Sequence, residues 1–156
     1  MSTMTMSLPS RPRNTSSSPK SASTATALVA AAEIGVTDRV LIIGRNVIEQ
    51  VVALVQAGCR NVLSLRAGSS CPRGEAVDVL WLASIDEAQD RVTAALRGGS
   101  APRIIVVEAA GAETDRQLRP VVRQLRAQGF VRFVSHRTAT GIALVATRPA
   151  WLQQVH

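Results

Sequence analysis

The chain has 156 residues, the length of one domain, and no apolar run approaches the roughly 20 residues needed to span a bilayer. Apolar residues make up 46% and aromatics only 3%, with no Tyr, so the core must be Val, Leu, Ile and Ala, a composition that suits buried parallel strands. The net charge of +7 is uneven: bases and acids balance over residues 1–115, whereas Arg116, Arg119, Arg123, Arg126, Arg132, Arg137 and Arg148 meet no acid in residues 116–156.

Residues 1–24 are rich in Ser, Thr, Pro and Arg and carry no acid. Such a stretch buries too little apolar surface to fold, so it reads as a disordered tail ahead of a domain over 25–156. The apolar run Ala25–Ala32 is short and Ala-rich, with Leu28 and Val29 its only large residues. It reads as part of a helix over Thr26–Ile34 rather than as a secretory signal or a transit peptide. Cys59 and Cys71 are the only cysteines, too few for a disulfide framework, and they fit a reducing, cytoplasmic setting.

The run Arg39–Gly44, RVLIIG, predicts a central parallel strand. Asn46 and Glu49 have the spacing of a capping box. Ile48, Val51, Val52 and Val55 then recur at helical spacing on one face, and Gly58 ends the helix. Asn61–Leu65, NVLSL, is the second strand, completing a βαβ unit. Residues 67–76 are a loop by composition. Val77–Leu82 is the third strand, with Ser84 and Glu87 a second capping box before a helix that ends at Gly98-Gly99.

Arg103–Glu108, RIIVVE, is the fourth strand. In the helix that follows, Pro120 predicts a kink or restart. Val121, Val122 and Leu125 face the core there, opposite Arg119, Arg123 and Arg126. Gly129 ends that helix. Val131–His136 and Ile142–Thr147 are short and closely linked, which predicts an antiparallel pair.

This order resembles the class I S-adenosylmethionine-dependent methyltransferases over about residues 25–150. The likeness is carried by RVLIIG ending in Gly44, by VDVLWLAS with Asp78 at its start, by ALRGGSAPRIIVVE, and by QLRAQGF followed by VRFVSHRTATGIALVATRP. It implies a three-layer Rossmann-like α/β sandwich, mostly parallel, with a C-terminal antiparallel hairpin. It also implies cofactor positions at Gly44, Arg45, Asn46, Arg66 and Ser84.

The departures from the family pattern are specific. The first loop, Gly44-Arg45-Asn46, has a single Gly where the family's is Gly-rich so that the backbone can approach the cofactor. The second strand ends LSLR, with Arg66 near the place of the family's ribose-binding acid. Only Arg66–Ala76 separates the second and third strands, too short for the family's extra strand and helix, so one strand–helix unit is missing.

The dinucleotide fingerprint also fails, since from Gly44 it reads Gly-x-Asn-x-x-Glu, although Arg66 could in principle meet a 2′-phosphate. No catalytic constellation stands out. His136 reads as a strand-end residue, His156 is terminal, and neither the cysteines nor the histidines have metal-ligand spacing.

These readings favour a methyltransferase-like domain that has lost cofactor binding and acts as a binding module. The alternatives are an active S-adenosylmethionine-dependent enzyme with a divergent pocket and a nucleic-acid-binding module. In the last, Arg119, Arg123 and Arg126 form an anion-facing stripe. If a unit is missing, the strand 61–65 is a free sheet edge, which the loop 67–76 could cover or a second copy of the chain could use for dimerisation.

Overall fold

The computed structural model describes residues 19–66, 76–85, 92, 102–111, 114–138 and 140–149. Helix α1, Pro19–Ala31, precedes β1, Arg39–Ile43, then α2, Ile48–Gln56, and β2, Asn61–Leu65. Strands β3, Val79–Ile85, and β4, Ile104–Ala110, lead to helix α3, Thr114–Ala127, and to strands β5, Arg132–Arg137, and β6, Gly141–Thr147.

The six strands form one sheet in the order β2-β1-β3-β4-β6-β5. The first four run parallel, and β6 is antiparallel to both β4 and β5. The Rossmann-like sheet and its terminal hairpin are therefore as the sequence implies. Among the described residues no strand flanks β2 on its outer side. The loop suggested as its cover falls mostly in 67–75, outside the described residues.

Side-chain alternation sends the two faces of the sheet into separate cores. Val40, Ile42, Trp81, Ile104, Val106, Ala143 and Val145 pack under α1 and α2. Leu41, Ile43, Leu80, Leu82, Ile105, Val107, Leu144 and Ala146 pack with Leu118, Val121 and Leu125 of α3 and with Val92. The chain steps outward from β1 to β2 and then returns to β3 on the other side of β1. That reversal opens a crevice at the carboxyl ends of the parallel strands, where such sheets bind ligands.

Several local readings need correction. Helix α1 starts at Pro19 rather than Thr26, so Pro19–Thr24 leave the expected tail and become helical. Alanine has the highest helix propensity, and proline suits the first helical position because its missing N–H has no partner to lose there. Helix α3 runs through Pro120 without a restart. Strand β3 extends to Ile85, so Ser84 lies within it and starts no helix; Glu87 is outside the described residues.

The expected capping box at Asn46 does not form. Val47 is the N-cap of α2, no side chain caps it, and Val51 N–H donates to the Val47 carbonyl at 2.9 Å. The helix thus begins one residue too late for Asn46 to reach its free N–H groups.

The apolar stripe of α2 divides, with Val51 half-buried against the core and the other three residues turned outward. Ile48, Val52 and Val55 are 70%, 46% and 59% exposed, while Gln50, Ala53 and Leu54 are buried. Periodicity groups residues onto one face but does not say which neighbour that face meets.

Helix α1 ends on an unusual residue. Glu33 has φ 54°, and Ile34 N–H donates back to the Val29 carbonyl at 3.3 Å. This is a left-handed helix cap, for which glycine carries no steric penalty. We expect Glu33→Gly to raise unfolding free energy by about 0.5–1 kcal/mol, the left-handed strain relieved less the extra entropy glycine loses on folding. Denaturant unfolding checks this, and a destabilised variant would refute it.

Candidate functional site

The loop after β1 and the carboxyl end of β4 meet the N-terminal turn of α2, the middle of α1 and the β5–β6 turn around a cavity of about 250 Å³. Its polar lining includes Asn46, Glu49, Gln50, Glu108, Thr138 and Thr140. That volume lies below the roughly 300–1,000 Å³ usual for drug-sized ligands and suits a small metabolite.

Glu108 is the centre of this wall. It follows Ile104 and Val106 at alternate positions of β4, so it projects to the α1/α2 face of the sheet. Trp81 Nε1 of β3 and Gln50 Nε2 of α2 both donate to Glu108 Oε2, each at 3.0 Å. Burial pushes the carboxyl above its ordinary range; the two hydrogen bonds oppose that rise and the nearby Glu49 charge adds to it. Burial of this kind favours the protonated form, and a carboxyl on a cavity wall can also pair with a cation.

The residues expected at a cofactor site are only partly brought together. Asn46 lines the cavity. Gly44 is buried at the end of β1 and its N–H donates to the Leu65 carbonyl at 3.2 Å. Arg45 is exposed, and Arg66 is exposed directly after β2; neither lines the cavity. Ser84 belongs to β3.

Asp78 is structural. Its Oδ2 accepts the Arg39 N–H at 2.8 Å and its carbonyl accepts Arg103 N–H at 2.9 Å, tying the starts of β1 and β4 at the opposite end of the sheet. His136 lies on β5, across Ala143 from Glu108 in the register, and its Nε2 is buried with no hydrogen-bond partner among the described residues. Arg119, Arg123 and Arg126 are exposed on α3 and line one open groove, with Arg126 5.4 Å from the Phe133 ring centre. Among the described residues no group of His, Cys, Asp or Glu could hold a metal ion, and no helix is long and apolar enough to cross a membrane.

Sequence reasoning missed Glu108, Gln50 and Trp81 as a unit. One signal was present, an acid closing the otherwise apolar strand RIIVVE.

No protein-family model and no curated protein matches the sequence. Solved structures do. The release factor-specific protein-(glutamine-N5) methyltransferase of Alicyclobacillus acidocaldarius superposes with a TM-score of 0.56 at 15% identity, over 83% of this chain and 93% of that one. The magnesium protoporphyrin IX methyltransferase of Synechocystis, solved with S-adenosylmethionine bound, gives 0.55 at 15% identity, over 82% of this chain and 78% of its own. With the strand order above, these matches establish the fold as that of the class I S-adenosylmethionine-dependent methyltransferases.

Proposed function

We propose that this domain keeps the methyltransferase fold, does not use S-adenosylmethionine, and works by binding. The observation that carries the reading is Arg66. It leaves β2 beside Gly44, whose N–H bonds the last carbonyl of that strand. This is the end of the strand where the family's ribose acceptor is expected. A guanidinium has five donors and no acceptor, so it cannot take hydrogen bonds from ribose hydroxyls.

Two further observations support the reading. The space beside Gly44 that a Cβ would occupy is closed by the Ala83 carbonyl oxygen, 2.7 Å away, so this glycine is explained by strand packing. On the outer side of β2, no strand among the described residues stands where the family's missing unit would wall the adenine. Leaving a buried hydroxyl pair without its acceptor costs about 1–3 kcal/mol, or roughly one to two decades of affinity.

Calorimetric titration of the full chain with S-adenosylmethionine tests this. We expect no saturable heat at high micromolar cofactor and no shift in thermal melting. A low-micromolar dissociation constant would overturn the proposal and make an active methyltransferase with a divergent pocket the better reading.

A further inference from the structure

We propose that the cavity walled by Gln50, Glu49 and Glu108 is a binding site for a small organic cation carrying a primary ammonium group. The proposal deepens the binding reading above and rests on it only in treating the domain as a binder.

The first observation is Gln50. It is 5% exposed and is the only buried polar side chain of the described core. With Glu108 ionised, that carboxylate can only accept, so the Gln50 amide must present its Nε2 to it. The amide orientation is thereby set, and Oε1 is left buried with no partner among the described residues. An orphaned buried acceptor on a cavity wall fits a ligand that donates.

The second observation is the rotation of α2. Ile48, Val52 and Val55 face solvent, and the otherwise apolar buried face includes a glutamine placed against the sheet. The same face carries Val47, Val51, Ala53 and Leu54 into the core, and it brings the Gln50 amide to Glu108 and the cavity wall. Both donors land on Oε2 of Glu108 and Oε1 takes neither.

The third observation is charge. The chain as a whole carries +7, but the described lining of this cavity holds two carboxylates and no Lys, Arg or His. An anionic or zwitterionic ligand would meet like charge here. A primary ammonium supplies three donors and a positive charge, which match Gln50 Oε1 and the Glu108 and Glu49 carboxylates.

The probe is n-butylamine, with n-butanol as its neutral counterpart, added to the full chain at constant ionic strength and neutral pH. We expect the amine to raise the melting temperature saturably, with a dissociation constant on the order of 1 mM or tighter for so small a ligand, and the alcohol to leave it unchanged. Glu108→Gln keeps an oxygen that accepts both bonds, and should melt at or above the wild type while losing at least tenfold in affinity for the amine. Gln50→Leu, which removes the orphaned acceptor, should lose affinity similarly and guards against a folding defect in the first variant.

Equal shifts from amine and alcohol, no saturable shift from the amine, or retention of wild-type affinity in a folded Glu108→Gln would overturn the site. S-adenosylmethionine, a sulfonium that carries a primary ammonium beside a carboxylate, is the separate arm. If it binds and competes with the amine, and Glu108→Gln loses both, the cation site stands while the proposal of a cofactor-free domain falls. If neither compound binds, the cofactor-free reading stands and the cation site falls.

Discussion

Replacing Trp81 with alanine should cost about 3–5 kcal/mol of stability, the range for truncating a large buried aromatic. Trp81 is fully buried in the middle of β3, with Ile42 of β1 and Val106 of β4 as its register partners. Its neighbours are themselves fixed in the sheet, so the cavity cannot readily collapse. The loss is a large part of the 5–15 kcal/mol, roughly, that holds a typical domain folded. Urea unfolding measures it, and a deficit under about 1 kcal/mol would contradict the packing described.

Trp81→Phe separates bulk from hydrogen bonding. The smaller ring keeps much of the burial but removes one of the two donors to Glu108 Oε2. The carboxyl, already raised by burial, should rise further. A raised carboxyl contributes stability that is present below its unfolded value and is lost as pH climbs through its folded value. The deficit of Trp81→Phe against the wild type should therefore be smallest in acid and grow toward neutral pH. A pH-independent deficit would mean that the Trp81 N–H does not stabilise the Glu108 carboxylate.

Gly44→Ala should cost about 1–3 kcal/mol, the usual range for overpacking a tight site, and Gly44→Val more. The added carbon would meet the Ala83 carbonyl oxygen at 2.7 Å, Ala83 Cβ at 3.1 Å and Val47 Cγ1 at 3.2 Å. The nearest of these is backbone of a central strand, so relief requires β1 or β3 to move. The loss should appear in unfolding experiments with no ligand added. If Gly44→Ala unfolds within about 0.5 kcal/mol of the wild type, β3 does not require glycine at this position.

What the sequence determined by itself is the sheet. Strands β1, β4 and β6 were legible because a strand buried on both faces or in the sheet centre is a short apolar run, and RVLII, IIVVEAA and GIALVAT read that way wherever they occur. The short interval after β2 was legible because chain length limits what fits between Arg66 and Val77, and among the described residues no strand flanks β2 on its outer side. The exposed arginines of α3 followed from helical period alone.

What only the tertiary structure decided is the site. Gln50, Trp81 and Glu108 lie 58 and 27 residues apart along the chain, counted to Glu108. No local spacing rule connects them, because their contact depends on β3 lying between β1 and β4 and on α2 crossing that face. Only the assembled sheet shows that α2 buries Gln50, Ala53 and Leu54, with Val51 packed beside them, while Ile48, Val52 and Val55 face water. Local pattern reports the period of a side-chain face. Which way that face turns depends on packing and hydrogen-bond partners that only the assembled sheet brings within reach.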